Sequence, residues 1–209
     1  MNNYIPTKID YYILNENSNT NNIFYHISKK DFDVFSKQLR NNIKVSEYLF
    51  FSEEINGFIT GDYLYTVELD FNPKKIFNSF KFSENNNYGI EFTLEKYIDD
   101  VKELFKNNLE YFYNEWIQYN VDSPENVLEY FTSIGGDEND KVGLLYYFLT
   151  EWNDSFAIIE SNKFLEFLET KGFDGFITME EGIFNIALRY YNEIKIFEMQ
   201  NRFKSLYCK

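Results

Sequence analysis

The sequence has one cysteine and one histidine, and this scarcity excludes several kinds of site. Cys208 alone cannot form an intrachain disulfide or a cysteine metal cage. His26 alone excludes HExxH zinc sites and every site that needs two histidines. The motifs GxSxG, GxGxxG and GxxxxGKS/T are also absent. The chain therefore lacks the common signatures of zinc, serine-nucleophile and phosphate-loop enzymes.

Basic residues are outnumbered, because 20 Lys and Arg stand against 34 Asp and Glu, for a formal net charge of -14. An acidic chain repels phosphate backbones and the anionic face of a membrane. With no basic stripe, direct binding to nucleic acid is not expected. The acidity can serve solubility, prepare the surface for a basic protein partner or imitate nucleic acid, and solubility is the commonest of these roles.

Long apolar runs are missing as well. The first ten residues, MNNYIPTKID, hold no signal-peptide core, and no window reaches the ~18 apolar residues of a membrane span. We therefore expect a soluble cytoplasmic protein with no membrane partner. The run GGDEND, residues 135–140, lacks the full ligand spacing of a calcium loop and a following glutamate. We expect it to form an exposed acidic turn that caps the next helix.

Aromatic residues are abundant, since 23 Phe, 18 Tyr and 2 Trp together make up 21% of the chain. Large rings can therefore fill the core. Short apolar or alternating runs predict strands near both ends of the chain. The predicted strands are Tyr11–Leu14, Ile23–Ile27, Leu49–Ser52, Tyr63–Leu69, Gly172–Met179, Phe184–Tyr191 and Ile194–Met199.

Helical spacing of apolar residues predicts helices between these strands. They cover residues 29–39, a long stretch from Thr93 to Tyr119, a segment that starts at Pro124, Asp137–Trp152, and Asn162–Thr170, which Gly172 ends. Strands at both ends and helices in the middle predict the α+β class. We expect a single domain over residues 1–209 with a helical insert at about 93–160.

Three segments carry a family resemblance: IFYHIS, then LFFSEE followed by DYLYTVEL, then GFDGFITMEEGIFNIALRYYNEIKIF. In this order the chain resembles small phage and mobile-element ADP-ribosyltransferases, including the anti-CRISPR kind that modifies a CRISPR effector subunit. The resemblance covers about half the chain, at its two ends. It implies an ADP-ribosyltransferase-like split β-sheet core, with the helical middle segment as an addition that has no counterpart in the family.

The resemblance also implies residues that bind NAD, the cosubstrate of this family. His26 and Ser28 match the first motif, whose histidine holds the ribose or the nicotinamide amide. Phe50, Phe51 and Ser52 match the second motif, whose aromatic ring stacks on nicotinamide. The cations nearest to these motifs in the sequence, which could meet the pyrophosphate, are Lys29, Lys30 and Arg40.

The family's catalytic carboxylate should precede the strand that starts at Phe184, where Glu180 and Glu181 are the acidic residues. Glu181 is favoured by a small margin because it abuts Gly182 and the start of the strand. The resemblance implies no metal. The glutamate of many members lies on the strand itself, where this chain has Asn185.

Two further departures affect the first and second motifs. Ile27 follows the histidine where many members have glycine, and Phe50 replaces the commonest residue, tyrosine. Ordinary roles therefore stay open for several of these residues. His26 and one of the two phenylalanines could be core residues, and the two glutamates could form a solvated turn. Trp116 and Trp152 lie in helical patterns and are expected to pack in the core.

The resemblance implies an NAD-dependent mono-ADP-ribosyltransferase that modifies a protein target, as in phage counter-defence. Cleavage of the nicotinamide–ribose bond develops positive charge on the ribose, so the site needs a ring against nicotinamide, a ribose contact and a carboxylate. A second hypothesis is a catalytically inactive module of the same fold that inhibits a basic, nucleic-acid-handling partner by contact. A third is an unrelated α+β structural protein.

Overall fold

A computed structural model describes residues 23–29, 31, 35, 44–54, 61–80, 89–119, 122–152, 155–180, 183–189 and 194–201. The chain divides into two compact units. The strand unit comprises Met1–Ser36, Phe51–Phe71 and Tyr191–Lys209, and the helical unit comprises Lys37–Phe50 and Asn72–Tyr190. The predicted strand at Tyr11–Leu14 lies outside the described residues, as does the predicted helix over 29–39 apart from Lys29, Asp31 and Phe35.

Seven strands are present in the described part of the chain. They are β1 (Ile23–Ser28), β2 (Leu49–Ser52), β3 (Tyr63–Glu68), β4 (Ile76–Phe77), β5 (Gly175–Glu180), β6 (Ile183–Leu188) and β7 (Lys195–Asn201). Six of them were predicted from sequence, and their bounds differ from the prediction by a few residues. The exception is β4, which is too short for a periodic pattern to reveal.

In the strand unit, β3 lies between β1 and β7 and pairs antiparallel with both. Its register with β1 runs from Ile23 opposite Glu68 to Ser28 opposite Tyr63. The register with β7 shifts between Thr66 and Val67, which is the irregularity of a β-bulge. The other edge of β1 pairs antiparallel with the end of β2, where Tyr25 is opposite Ser52. This last pairing places the first two sequence motifs on neighbouring strands.

Both faces of β3 are buried, which explains why its sequence is apolar beyond a simple alternation. Leu64 and Thr66 are buried on one face, and Tyr65 and Val67 are buried on the other. Phe24 of β1 is also fully buried and packs edge-on against Phe71, with ring centroids 6.5 Å apart. The core of the strand unit is therefore built largely from aromatic rings, as the composition predicts.

The helical unit contains six α-helices among the described residues. They are α1 (Ile98–Asn107), α2 (Leu109–Gln118), α3 (Pro124–Ser133), α4 (Lys141–Glu151), α5 (Phe156–Ile159) and α6 (Asn162–Thr170). Single 3₁₀ turns occupy Lys44–Glu47, Pro73–Lys75 and Leu94–Tyr97. The short helix α5 was not predicted, because four residues give no helical period to detect.

The prediction of one long helix from Thr93 to Tyr119 is wrong. The segment begins as a 3₁₀ turn and breaks at Asn108, whose φ of -138° and ψ of 33° are not helical. The Asn108 side chain donates to the carbonyl of Leu104 (2.9 Å), and its own carbonyl accepts the amide of Phe112 (3.1 Å). Asparagine competes in this way with helical hydrogen bonds, so α1 ends and α2 begins within one residue.

The sequence signals at the ends of other helices are confirmed. Ser123 caps α3 with Pro124 at the first helical position, and the Ser123 hydroxyl accepts the amide of Asn126 (3.3 Å). The acidic turn caps α4 as predicted, because the Asp140 carboxylate accepts the amide of Gly143 (2.8 Å). Gly172 follows α6 with a φ of +81°, a conformation that glycine adopts without a steric cost.

The sheet of the helical unit runs β4–β5–β6. β4 is parallel to β5, with Ile76 opposite Gly175, and β5 is antiparallel to β6. A Cβ at Gly175 would collide with the carbonyl oxygen of Ala187 on β6, so only glycine allows this close approach of the two strands. The seven strands thus combine parallel and antiparallel pairs, and with the helices they confirm the α+β class.

The core of the helical unit is dense in aromatic rings. Trp116 is fully buried and stacks on Phe148, with ring centroids 4.0 Å apart. Phe105 packs edge-on against Phe112 at 4.9 Å and lies 6.3 Å from Phe164. Removing each such ring from water stabilises the fold by roughly 1.5–3 kcal/mol. The expected packing role of Trp116 is therefore confirmed.

Candidate functional site

His26 lies on β1, opposite Tyr65 of β3, and its side chain is half-buried. Three aromatic rings surround the imidazole. Their centroids lie 5.1 Å (Phe35), 5.6 Å (Phe51) and 6.4 Å (Tyr65) from that of His26. We call these four residues the His26 cluster, and all of them belong to the strand unit.

The rings of the His26 cluster also pack on one another. Phe35 lies edge-on to both Phe51 (5.5 Å) and Tyr65 (5.8 Å). The Tyr65 hydroxyl donates a hydrogen bond to the Asp31 carboxylate (3.1 Å) at the edge of the cluster. Edge-to-face contacts of this kind add about 0.5–1.5 kcal/mol each beyond buried area. The imidazole is therefore held in one orientation, with its ring surface partly open to solvent.

Ser52 ends β2 next to Phe51 and lies opposite Tyr25. Its residue surface is only 3% exposed, and its hydroxyl has no hydrogen-bond partner among the described residues. A buried hydroxyl without a partner costs about 1–3 kcal/mol. Ser52 thus adds a buried polar group to the second motif, next to Phe51 in the sequence.

Ser28 is the last residue of β1 and is half-buried. Its carbonyl oxygen accepts the amide of Asp62 (2.9 Å). A Cβ at Gly61 would lie 2.7 Å from that same oxygen, so glycine is required for the loop to approach the strand so closely. The position of Ser28 is thus fixed by backbone contacts on the segment that precedes β3.

Phe50 and Phe51 point to opposite sides of β2, as alternation along a strand requires. The Phe50 ring lies 6.0 Å from that of Phe176 and joins the core of the helical unit. Tyr48 packs on the same Phe176 ring at 5.0 Å. Of the two phenylalanines in the second motif, Phe51 is therefore the one whose ring contacts His26.

The two candidate carboxylates can be placed only in part. Glu180 is the last residue of β5, opposite Ile183 of β6, and Glu181 lies outside the described residues. Two residues further along β6, Asn185 is buried opposite the buried Thr178. The Asn185 amide donates to the carbonyl of Ile183 (3.3 Å). Asn185 thus contributes a buried amide to β6, next to the end of the strand that carries Glu180.

Sequence reasoning missed two members of the site. Phe35 was assigned to a helical apolar face, and Asp31 carried no signal because an isolated carboxylate after a strand is common. Tyr65 lies on the predicted strand Tyr63–Leu69, and its ring is 6.4 Å from that of His26. Of the predicted cations, Lys29 is exposed, while Lys30 and Arg40 lie outside the described residues.

A cluster of charged side chains lies in the helical unit, at the end of β6. The Arg189 guanidinium binds Glu47 (2.9 Å) and Glu169 (3.0 Å), and Glu169 also binds the Lys44 ammonium (3.1 Å). All four side chains are 20–26% exposed. The network ties the 3₁₀ turn before β2 to α6 and β6. These ion pairs give Arg189 a structural role.

In the part of the chain that the structure describes, no group of three or more His, Cys, Asp and Glu side chains is placed to hold a metal ion. The described helices include none that is long and apolar enough to cross a membrane.

Comparison with known proteins adds no relative to this description. The chain matches no family model, no curated protein and no solved structure.

Proposed function

We propose that this protein is an NAD-dependent mono-ADP-ribosyltransferase that modifies a protein. The observation that carries the proposal is the meeting of the first two sequence motifs on the neighbouring strands β1 and β2. His26 contacts Phe51 (5.6 Å), and Ser52 follows with a buried hydroxyl. Residues so far apart in the sequence meet either for packing or for a shared site. The half-buried imidazole, a polar ring that is partly open to solvent, favours a site.

The proposal assigns each group a task in the binding of NAD. The neutral imidazole of His26, which has one donor and one acceptor nitrogen, would hold the ribose or the nicotinamide amide. Phe51 would present an aromatic ring to nicotinamide, and Ser52 would hydrogen-bond a polar ligand atom. The ring contacts that orient His26 would lower the entropy lost on binding.

The proposal assigns the chemical step to a carboxylate, with Glu181 preferred over Glu180. Nicotinamide leaves from a positively charged ring nitrogen, so the bond breaks without strong acid catalysis. The ribose then becomes oxocarbenium-like, and a carboxylate near its 2′-hydroxyl stabilises this charge and orients the acceptor nucleophile of the target protein. The proposal includes a split-sheet core of the ADP-ribosyltransferase type, a basic or nucleic-acid-associated target and a cytoplasmic setting.

The test pairs an NAD titration with an assay of nicotinamide release. Glu181→Gln should lower release by about 100-fold or more while NAD still binds, because the carboxylate acts on charge that develops in the transition state. His26→Ala should weaken NAD binding itself, because the imidazole would touch the ligand before reaction. Glu166→Gln, on the exposed face of α6, is the matched control and should change neither quantity.

Two outcomes would redirect the proposal. Loss of release in Glu180→Gln, with Glu181→Gln unaffected, would move the catalytic role by one residue. Unchanged release in both variants would remove the carboxylate from the mechanism and overturn the enzymatic proposal.

A second candidate function is favoured by the packing of the His26 cluster. Phe51 and Tyr65 are at most 1% exposed, and their rings fill the space beside the imidazole. Such packing suits a module that has kept the strand arrangement but does not admit NAD, and that inhibits a basic partner by contact. Failure of the wild-type protein to bind NAD would select this candidate over the enzyme.

A further inference from the structure

The helical unit contains a long stretch of chain without positive charge. Between Lys106 and Lys141 lie 34 residues with no Lys, Arg or His. The same stretch holds eight acidic residues, namely Glu110, Glu115, Asp122, Glu125, Glu129, Asp137, Glu138 and Asp140. An even spread of the chain's 20 basic residues would place about three in a stretch of this length. The charge of this part of the protein is thus of one sign.

Large apolar side chains are exposed on the same stretch. Ile134 is 67% exposed, Tyr130 61% and Ile117 59%, and Tyr119 is exposed as well. These are four of the six large hydrophobic residues that are exposed in the described part of the chain. Solubility alone explains the carboxylates, but it does not explain apolar side chains in water beside them.

Part of this surface adjoins Trp152, the residue that follows α4, which is half-buried and packs partly against the core of the helical unit, as expected from sequence. The Tyr130 ring lies edge-on to the Trp152 ring at 5.5 Å. The Trp152 indole donates to the Asp122 carboxylate (2.7 Å), and the buried Trp116 indole donates to the Asp122 carbonyl (2.7 Å). Ile134 follows the last residue of α3, and its amide donates to the Tyr130 carbonyl (3.3 Å) one turn earlier. We call Asp122, Tyr130, Ile134 and Trp152 the α3 platform.

The charged residues of the stretch that carries Asp122, Tyr130 and Ile134 are all acidic. Glu125 and Glu129 are exposed on α3 itself, and Asp137 and Glu138 are exposed in the turn that follows. Lys141, the first cation after the stretch, lies over the ring of Tyr113 on α2 at 5.7 Å, and Tyr113 is also the residue whose pKa Glu125 helps to raise, so this cation lies on the Glu125 side of α3. The platform therefore offers apolar and aromatic surface within a negative field.

We propose that the α3 platform is a docking surface for a lysine- and arginine-rich segment of a partner protein. The aliphatic stems of such side chains would pack on Ile134, and their cations would lie over the Tyr130 and Trp152 rings and meet the surrounding carboxylates. Charge complementarity selects this occupant, because a nucleic acid or a second copy of this acidic chain would be repelled. The inference does not depend on NAD chemistry, since no residue of the His26 cluster takes part.

The probe is a fluorescently labelled synthetic peptide of alternating Arg, Lys and Leu residues, with binding followed by anisotropy over a range of salt concentrations. The wild-type protein should bind it, and more weakly as salt rises. Tyr130→Ala and Ile134→Ser should each weaken binding by about fivefold or more, the usual loss at the centre of an interface. Glu125→Gln with Glu129→Gln should weaken it and reduce its salt dependence.

Two matched controls distinguish docking from general attraction between opposite charges. Glu95→Gln with Asp99→Asn removes two exposed carboxylates from a segment that also carries lysines. Met199→Ser removes an exposed apolar side chain from β7 of the strand unit. Neither control should change binding by more than about twofold, and circular dichroism should show every variant folded.

Four outcomes would overturn the proposal. They are no binding of the peptide, equal loss in the control and platform variants, binding of duplex DNA that the platform variants reduce, and self-association of the wild-type chain that Ile134→Ser abolishes.

Discussion

The imidazole of His26 lies edge-on to the ring of Phe35, with 5.1 Å between the ring centroids and 79° between the planes. Phe35 also packs edge-on against Phe51 and Tyr65, so this one ring contacts the other three members of the His26 cluster. Its buried surface shows that the contact is part of the core of the strand unit. The orientation of the imidazole therefore depends on a residue outside all three sequence motifs.

The first prediction concerns this ring. Phe35→Ala should lower the free energy of unfolding by about 3–5 kcal/mol, because it removes a buried ring and leaves a cavity beside His26. Phe35→Leu keeps most of the volume and should cost less than about 1.5 kcal/mol. Urea denaturation of both variants measures the difference. Equal stability of Phe35→Ala and the wild type would show that this ring contributes nothing to the core.

The second prediction concerns Trp116, which is fully buried, stacks on Phe148 and donates to the Asp122 carbonyl. Trp116→Ala should cost about 3–5 kcal/mol of stability. Trp116→Phe keeps a ring against Phe148 but leaves the Asp122 carbonyl without its donor, so it should cost less, about 1–3 kcal/mol. Guanidinium denaturation followed by far-ultraviolet circular dichroism would check the order of the two losses.

The third prediction contrasts two glycines. Gly175→Ala should destabilise the protein by about 1–3 kcal/mol, because the added methyl group meets the Ala187 carbonyl on the neighbouring strand. At Gly172 the requirement is a φ of +81° with open space around it, so Gly172→Asn should cost less than about 1 kcal/mol. Thermal unfolding of the two variants gives the comparison. A larger loss at Gly172 would contradict it.

The fourth prediction concerns stability in alkaline solution. Burial, with Glu151 and Tyr130 adding to it, raises the pKa of the Tyr147 hydroxyl above the ordinary 10.0, and burial with Glu125 raises the pKa of Tyr113. Above pH 10 the unfolded chain loses these protons before the folded chain does. The contribution of these two hydroxyls to the free energy of unfolding should therefore be constant below pH 10. It should fall as pH rises through their raised pKa values.

The measurement for this alkaline effect is the free energy of unfolding as a function of pH, in the wild type and in Tyr113→Phe with Tyr147→Phe. Phenylalanine does not ionise, so the double variant should lose less stability over the alkaline range. Identical pH profiles for the two proteins would show that these hydroxyls do not contribute to the alkaline loss.

Sequence patterns predicted most of the secondary structure because their signals are local. Ser123 before Pro124, Asp140 before α4 and Gly172 after α6 each act within one helical turn, and each is found as predicted. The break at Asn108 was missed because the apolar spacing continues across it, while the cause is a side-chain hydrogen bond. Periodicity records which face is buried, but it does not record such competition.

The sequence predicted the candidate site only at residues that belong to one of the motifs. The first and second motifs identified His26 and Phe51, and these two rings are in contact in the structure. Phe50 and Phe51 were equivalent in sequence, and their separation depends on tertiary packing, because Phe50 contacts Phe176 instead. Phe35 could not be assigned to the site, because apolar spacing shows that a ring is buried but not what it touches.

The pairing of Phe77 with Phe176 in the parallel strands β4 and β5 makes the chain leave the sheet and return to it at adjacent points. Two contacts close this junction. Thr93 donates its amide to the Asn78 carbonyl (3.0 Å), and Lys75 binds the Asp174 carboxylate (3.0 Å). A segment whose ends meet can be inserted, exchanged or lengthened with little change to the strands that flank it. The helices of residues 94–170 connect two adjacent strands in this way, and they also share a core with those strands, since Phe164 of α6 lies edge-on to Phe77 of β4 at 5.5 Å.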